Sequence, residues 1–71
     1  MKGKDVFSRD EIKQLQELIS LRVKAAPDKQ KGIRNKMRKI GFYGGDDFGV
    51  KDMTLEKFQS LIDNGEITIK N

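Results

Sequence analysis

Apolar residues recur at helical spacing through three stretches of the chain and alternate through one. In the first stretch Ile12, Leu15, Leu18, Ile19, Arg22, Val23 and Ala26 share one face at the period of a helix. The start of this helix is written just before it. Ser8 fits an N-cap, Glu11 completes a capping box three residues later, and Phe7 and Ile12 stand where a hydrophobic staple places its two members. Asp10 and Glu11 add anions at the positive end of the helix dipole. Leu21 lies off the shared face, open either to solvent or to another element. Pro27 biases Ala26 away from helical geometry, so the helix is expected to end near Ala25.

A second helix is expected from about Asp28 to Ile40. Ile33, Met37 and Ile40 give it a narrow apolar stripe at i, i+4 and i+7. Gly32 inside it marks either a late helix start or a close crossing by another helix. Gly41 suits the position just past the end, and Phe42 would then fold back on Met37, as a Schellman motif requires. Residues 43–53, with three glycines and three aspartates, read as a loop whose Phe48 tucks back onto the core. Thr54 caps a third helix with Leu55, Phe58, Leu61 and Ile62 on its apolar face and Ser60 outside, stopped by Asp63–Asn64–Gly65. The last residues, EITIKN, alternate and read as a short strand with Ile67 and Ile69 on one face. A lone strand is not stable, and Asp5 to Phe7 is the other strand-like piece. The expected fold class is therefore mainly α (α+β): a small three-helix domain whose short C-terminal strand pairs with the N-terminal segment.

Length and composition narrow the possibilities. Seventy-one residues are one small domain, residues 1–71. The sequence contains no Cys and no His, which removes disulfides and the usual zinc ligands. It holds no apolar run long enough for a transmembrane helix, and its N-terminal residues turn polar too soon for a signal peptide. The expectation is a cytoplasmic protein without a membrane partner.

The net charge of +4 is unevenly spread. Residues 22–43 carry eight cations (Arg22, Lys24, Lys29, Lys31, Arg34, Lys36, Arg38, Lys39) against one anion, Asp28, whereas residues 44–66 carry six anions against two cations. Either the basic block attracts an outside polyanion, or the acidic third neutralises it within the fold. Residues 29–40 hold six cations and no acid. With Ile33 at zero and about 100° per residue, Arg34, Arg38 and Lys31 fall near 100°, 140° and 160°, and Lys39 and Lys36 near 240° and 300°. Every face but the apolar stripe is cationic. Like charges at i, i+4, such as Arg34 and Arg38, destabilise a helix by a few tenths of a kcal/mol. A phosphate backbone would neutralise such a face.

The candidate contacts are Lys31, Arg34, Asn35, Lys36, Arg38 and Lys39, with Asn35 of a type that reads base edges. Tyr43 could stack on an exposed base, whereas Phe42 is claimed by the core through the helix cap. Helix, short turn, basic helix is also the order of a helix-turn-helix unit, although no helix precedes the pair and the single strand is not a winged hairpin.

Other chemistries find little support. The glycine-rich loop lacks the lysine and hydroxyl of a phosphate-binding loop and the strand and spacing of a dinucleotide fingerprint. Asp46, Asp47 and Asp52 lack the calcium-loop pattern, so no metal site is assigned. No His or Cys is present for acid–base or nucleophilic work, Ser8 and Ser60 have local roles, and no enzyme activity or cofactor is expected. The leading expectation is a small module binding DNA or RNA through its second helix. The alternative is a protein–protein module that docks an acidic partner or forms a homodimer.

Overall fold

The computed structural model describes residues 3–49 and 53–70. Its elements run β1 (Val6–Ser8), α1 (Arg9–Lys24), α2 (Pro27–Ile40), α3 (Gly44–Phe48), α4 (Leu55–Asp63) and β2 (Thr68–Lys70). The architecture is the expected one, three substantial helices and a small sheet joining the two ends of the chain. The two strands pair in parallel, with Val6, Phe7 and Ser8 opposite Thr68, Ile69 and Lys70. Parallel strands cannot be joined by a tight turn, so the whole helical body forms the crossover. The pairing extends one bond beyond the ladder, where the Thr68 amide donates to the Asp5 carbonyl at 2.8 Å.

Strand β1 passes into α1 without a loop, because Ser8 serves both. Its Oγ accepts from the Glu11 amide at 3.2 Å, and its own amide donates to Glu11 Oε1 at 2.9 Å. Phe7 and Ile12, flanking this box, are both buried. Glu11 also accepts from Lys4 Nζ at 2.8 Å. This ammonium and the Ser8 amide, in that order, hold the Glu11 carboxyl below its ordinary value of 4.5.

Helix α1 ends with Ala25 as its C-cap, and Pro27 opens α2 at the first helical position, where its missing N–H would have had no partner. The second helix thus begins one residue earlier than expected. The connection is only Ala25 and Ala26. Gln30 secures it: its Nε2 donates to the carbonyls of Arg22 and Ala25, each at 3.2 Å, the first of which also accepts from the Ala25 amide.

At the other end of α2, Gly41 adopts a φ of 109°. Its amide donates to Arg38, and the Phe42 amide donates to Met37, both at 3.0 Å, which is the Schellman pattern. The Gly41 carbonyl accepts from the Lys4 amide at 2.9 Å, tying this cap to the N-terminal segment. Beyond it, the stretch expected to be a loop contains the five-residue helix α3. Gly44 permits this turn, because a Cβ there would meet Met53 Cε at 3.0 Å and the Phe42 ring at 3.2 Å. Thr54 caps α4 by accepting from the Lys57 amide at 3.2 Å. Ser60 is exposed and bonds the Glu56 carbonyl. Gly65, at φ 80°, turns the chain out of the helix.

The core consists of Phe7, Ile12, Leu15, Ile19, Met37, Phe42, Met53, Phe58, Leu61 and Ile67, with Leu18, Ile33, Ile40, Phe48 and Ile62 packed at its edge. Phe42 is its aromatic centre, edge-on to Phe58 at 5.5 Å and Phe7 at 6.1 Å and stacked on Phe48 at 5.7 Å. Four expectations need correction. Val23 is 58% exposed, because the facing first turn of α2 supplies no core residue. Leu55 is 46% exposed, because the neighbouring surface of α1 is polar, formed by Lys13, Gln16, Glu17 and Ser20. Ile69 is 37% exposed beside its buried neighbour on the same face, Ile67, because it lies at the outer end of a sheet of only two short strands. Gly32 marks neither a late start nor a crossing: it lies inside α2, and a Cβ there would have nothing within 4 Å.

Candidate nucleic-acid interface

Helix α2 packs its stripe of Ile33, Met37 and Ile40 against the core and turns the rest to solvent. Met37 is buried, and Ile33 and Ile40 are half-buried. Lys31, Arg34, Asn35, Lys36, Arg38 and Lys39 are all exposed, spread over the faces that the apolar stripe leaves free. Among the described residues, no ion pair joins any of these five cations to a carboxylate. Asp28, the acid of this helix, stands in its first turn, where it favours the dipole.

Tyr43 is half-buried just past the C-terminal end, with the Arg38 guanidinium 5.8 Å from its ring centroid. The structure therefore brings together all seven residues singled out from the sequence. Tyr43 belongs to the group through Arg38, which lies over its ring.

The described acids of the last third, Glu56, Asp63 and Glu66, lie on α4 and just beyond it. Helix α4, which carries Glu56 and Asp63, packs on α1, the helix against which α2 and both strands also rest. Glu56, Asp63 and Glu66 are exposed, and Asp63 accepts from Gln59 within its own helix at 3.0 Å. Asp52 and the side chains of Asp46 and Asp47 lie outside the described residues, so the pairing of Arg34 or Arg38 with them, and the metal question raised by these three aspartates, lie outside as well. Among the described residues, no cluster of three or more acidic side chains could hold a metal ion, and no helix is long and apolar enough to cross a membrane.

Two features of the surface escape the sequence pattern. One is the lock between Gln30 and the end of α1. A glutamine about 60° from Ile33 on the wheel is a polar residue at the margin of the apolar stripe, and that misplacement was its signal. The other is a groove of about 330 Å³ between α1 and α2, with Leu18, Leu21 and Ile40 in it, Gln14 and Glu17 on one lip and Lys36 and Lys39 on the other. Leu21, off the main face of α1, is 56% exposed there. Its position on the wheel was readable; the neighbouring lip was not. No protein family, curated protein or solved structure is matched by this chain.

Proposed function

We propose that this protein is a small nucleic-acid-binding module whose contact surface is the outer face of α2. The observation that carries the reading is the unbalanced charge of that face: residues 29–40 hold six cations and no acid, and Lys31, Arg34, Lys36, Arg38 and Lys39 project to solvent. Self-repulsion on such a helix is relieved by an external polyanion, and phosphate neutralisation releases counterions. Lys31, Arg34, Lys36, Arg38 and Lys39 take phosphates, Asn35 is placed for a base edge, and Tyr43 supports Arg38. The mount is firm, since the Gln30 lock and the Schellman cap fix the two ends of the helix.

Titrating labelled duplex DNA and RNA at two salt concentrations tests the reading. Binding is expected that weakens steeply with salt and is at least tenfold weaker in the double variant Arg34→Glu with Arg38→Glu, whose helical circular dichroism is unchanged. Absence of binding at low salt overturns it.

A second reading, a protein-docking module, is favoured by the groove between α1 and α2. Its exposed Leu21 and its Lys36 and Lys39 lip suit an acidic segment with an apolar anchor. The groove shares Lys36 and Lys39 with the basic face, so a Leu21→Lys variant that keeps nucleic-acid affinity separates its apolar anchor from that face.

A further inference from the structure

Gly32 is unexplained within the fold. It sits in the interior of α2, where glycine is less favourable than every residue but proline. Its φ is not positive, and a Cβ would meet nothing within 4 Å. Neither backbone conformation nor packing asks for it. The remaining physical use of a glycine is close approach of the backbone to something outside the chain.

Its place on the helix says what that is. The direction opposite the buried stripe passes close to Asn35. Lys31, Arg38 and Arg34 lie about 30°, 50° and 90° to one side of it, and Lys39 and Lys36 about 50° and 110° to the other. Gly32 lies on the second flank, one turn before Asn35 and Lys36. Helical side chains lean toward the N-terminus, so these two lean toward the bare stretch of backbone. The helix thus carries cations on both flanks, a neutral reader of base edges between them, and a notch on one flank.

We propose that α2 lies in the major groove of duplex DNA. Lys31, Arg34 and Arg38 contact the phosphates of one strand and Lys36 and Lys39 those of the other. The second strand closes against the bare Cα of Gly32, and Asn35 faces the base edges. The inference rests on the reading above that α2 binds nucleic acid. It selects B-form DNA because that major groove, about 12 Å wide, admits a helix, whereas the A-form groove of duplex RNA is too narrow to be read by side chains. Two cationic flanks match two strands; a single strand would occupy one.

The test compares the full chain on a 16-base-pair DNA duplex, the same sequence as duplex RNA, and one strand alone, in low salt. Duplex DNA is expected to bind at least tenfold tighter than either alternative. Arg34→Glu with Arg38→Glu and, separately, Lys36→Glu with Lys39→Glu are each expected to cost at least tenfold. Gly32→Ala is expected to raise the thermal midpoint by up to about 5 °C and yet weaken DNA binding at least fivefold, a combination that a structural role for the glycine does not produce. Equal affinity for RNA or for the single strand, dependence on one flank only, or a Gly32→Ala variant that binds as well as the parent overturns the inference and leaves nucleic-acid binding standing. Failure of all three probes to bind overturns the underlying reading with it.

Discussion

Gln30 shows how one side chain fixes the angle at which the basic helix is presented. It donates from α2 to two carbonyls at the end of α1, that of Ala25 and that of Arg22, which also accepts from the Ala25 amide. Gln30→Glu keeps the size and removes the donor. It is expected to lower stability by at least about 1 kcal/mol, read as a shift of the urea midpoint with an unchanged slope. An unaltered midpoint would show that the turn holds without the lock. Glu11 carries the pH dependence of the N-terminal corner. The Lys4 ammonium and then the Ser8 amide lower its folded-state pKa, so the unfolded chain binds its proton more readily. Its contribution to stability is therefore present above the ordinary carboxylate range and is lost as pH falls through the depressed folded value. In Lys4→Met the Glu11 carboxyl is expected to titrate at higher pH, followed by its carboxyl-carbon NMR shift; an unmoved titration would show that the Ser8 amide alone sets it.

Each element carries its own boundary, and most of these boundaries were written in the chain. The capping box, the staple, the Gly41 stop and the Thr54 cap depend on residues within one turn of each other, so local sequence determines them. Gly41→Ala tests the strongest of these. A Cβ there would be held at a positive φ and meet the Lys4 side chain at 2.9 Å, a cost expected at about 1–2 kcal/mol, measured by thermal melting. The faces of the elements were less legible. Periodicity places Val23 and Leu55 with the core, but burial needs an apolar surface opposite, and the polar first turn of α2 and the polar side of α1 do not supply one. Ile19→Ala is therefore expected to cost about 2–5 kcal/mol, and Val23→Ala less than about 0.5 kcal/mol. Comparable losses in the two variants would restore Val23 to the core. Helix α3 was not legible, because its five residues carry no period and its start at Gly44 depends on Met53 and Phe42 from outside the segment.

At the scale of the molecule, the sequence separates charge into a basic middle and an acidic third, and the fold decides how they meet. Helix α1 is the shared support: α2 packs on it, α4 packs on it, and the described acids of α4 form no ion pair with the cations of α2. No arithmetic on the chain could have settled that, because it depends on which helix α4 chooses as neighbour. The candidate site was legible as a set because a helix converts sequence spacing into faces. Its two flanks follow from the same spacing; the notch at Gly32 needed the structure, which shows that glycine to be neither a boundary nor a crossing. The most direct test of the central claim is the salt dependence of binding to duplex DNA. Five phosphate contacts, from Lys31, Arg34, Lys36, Arg38 and Lys39, predict a slope of log K against log salt of about −4.5, falling in magnitude by about 1.8 in Arg34→Glu with Arg38→Glu. A slope near zero, or one that the double variant leaves unchanged, would contradict the assignment of this helix as the phosphate-binding surface.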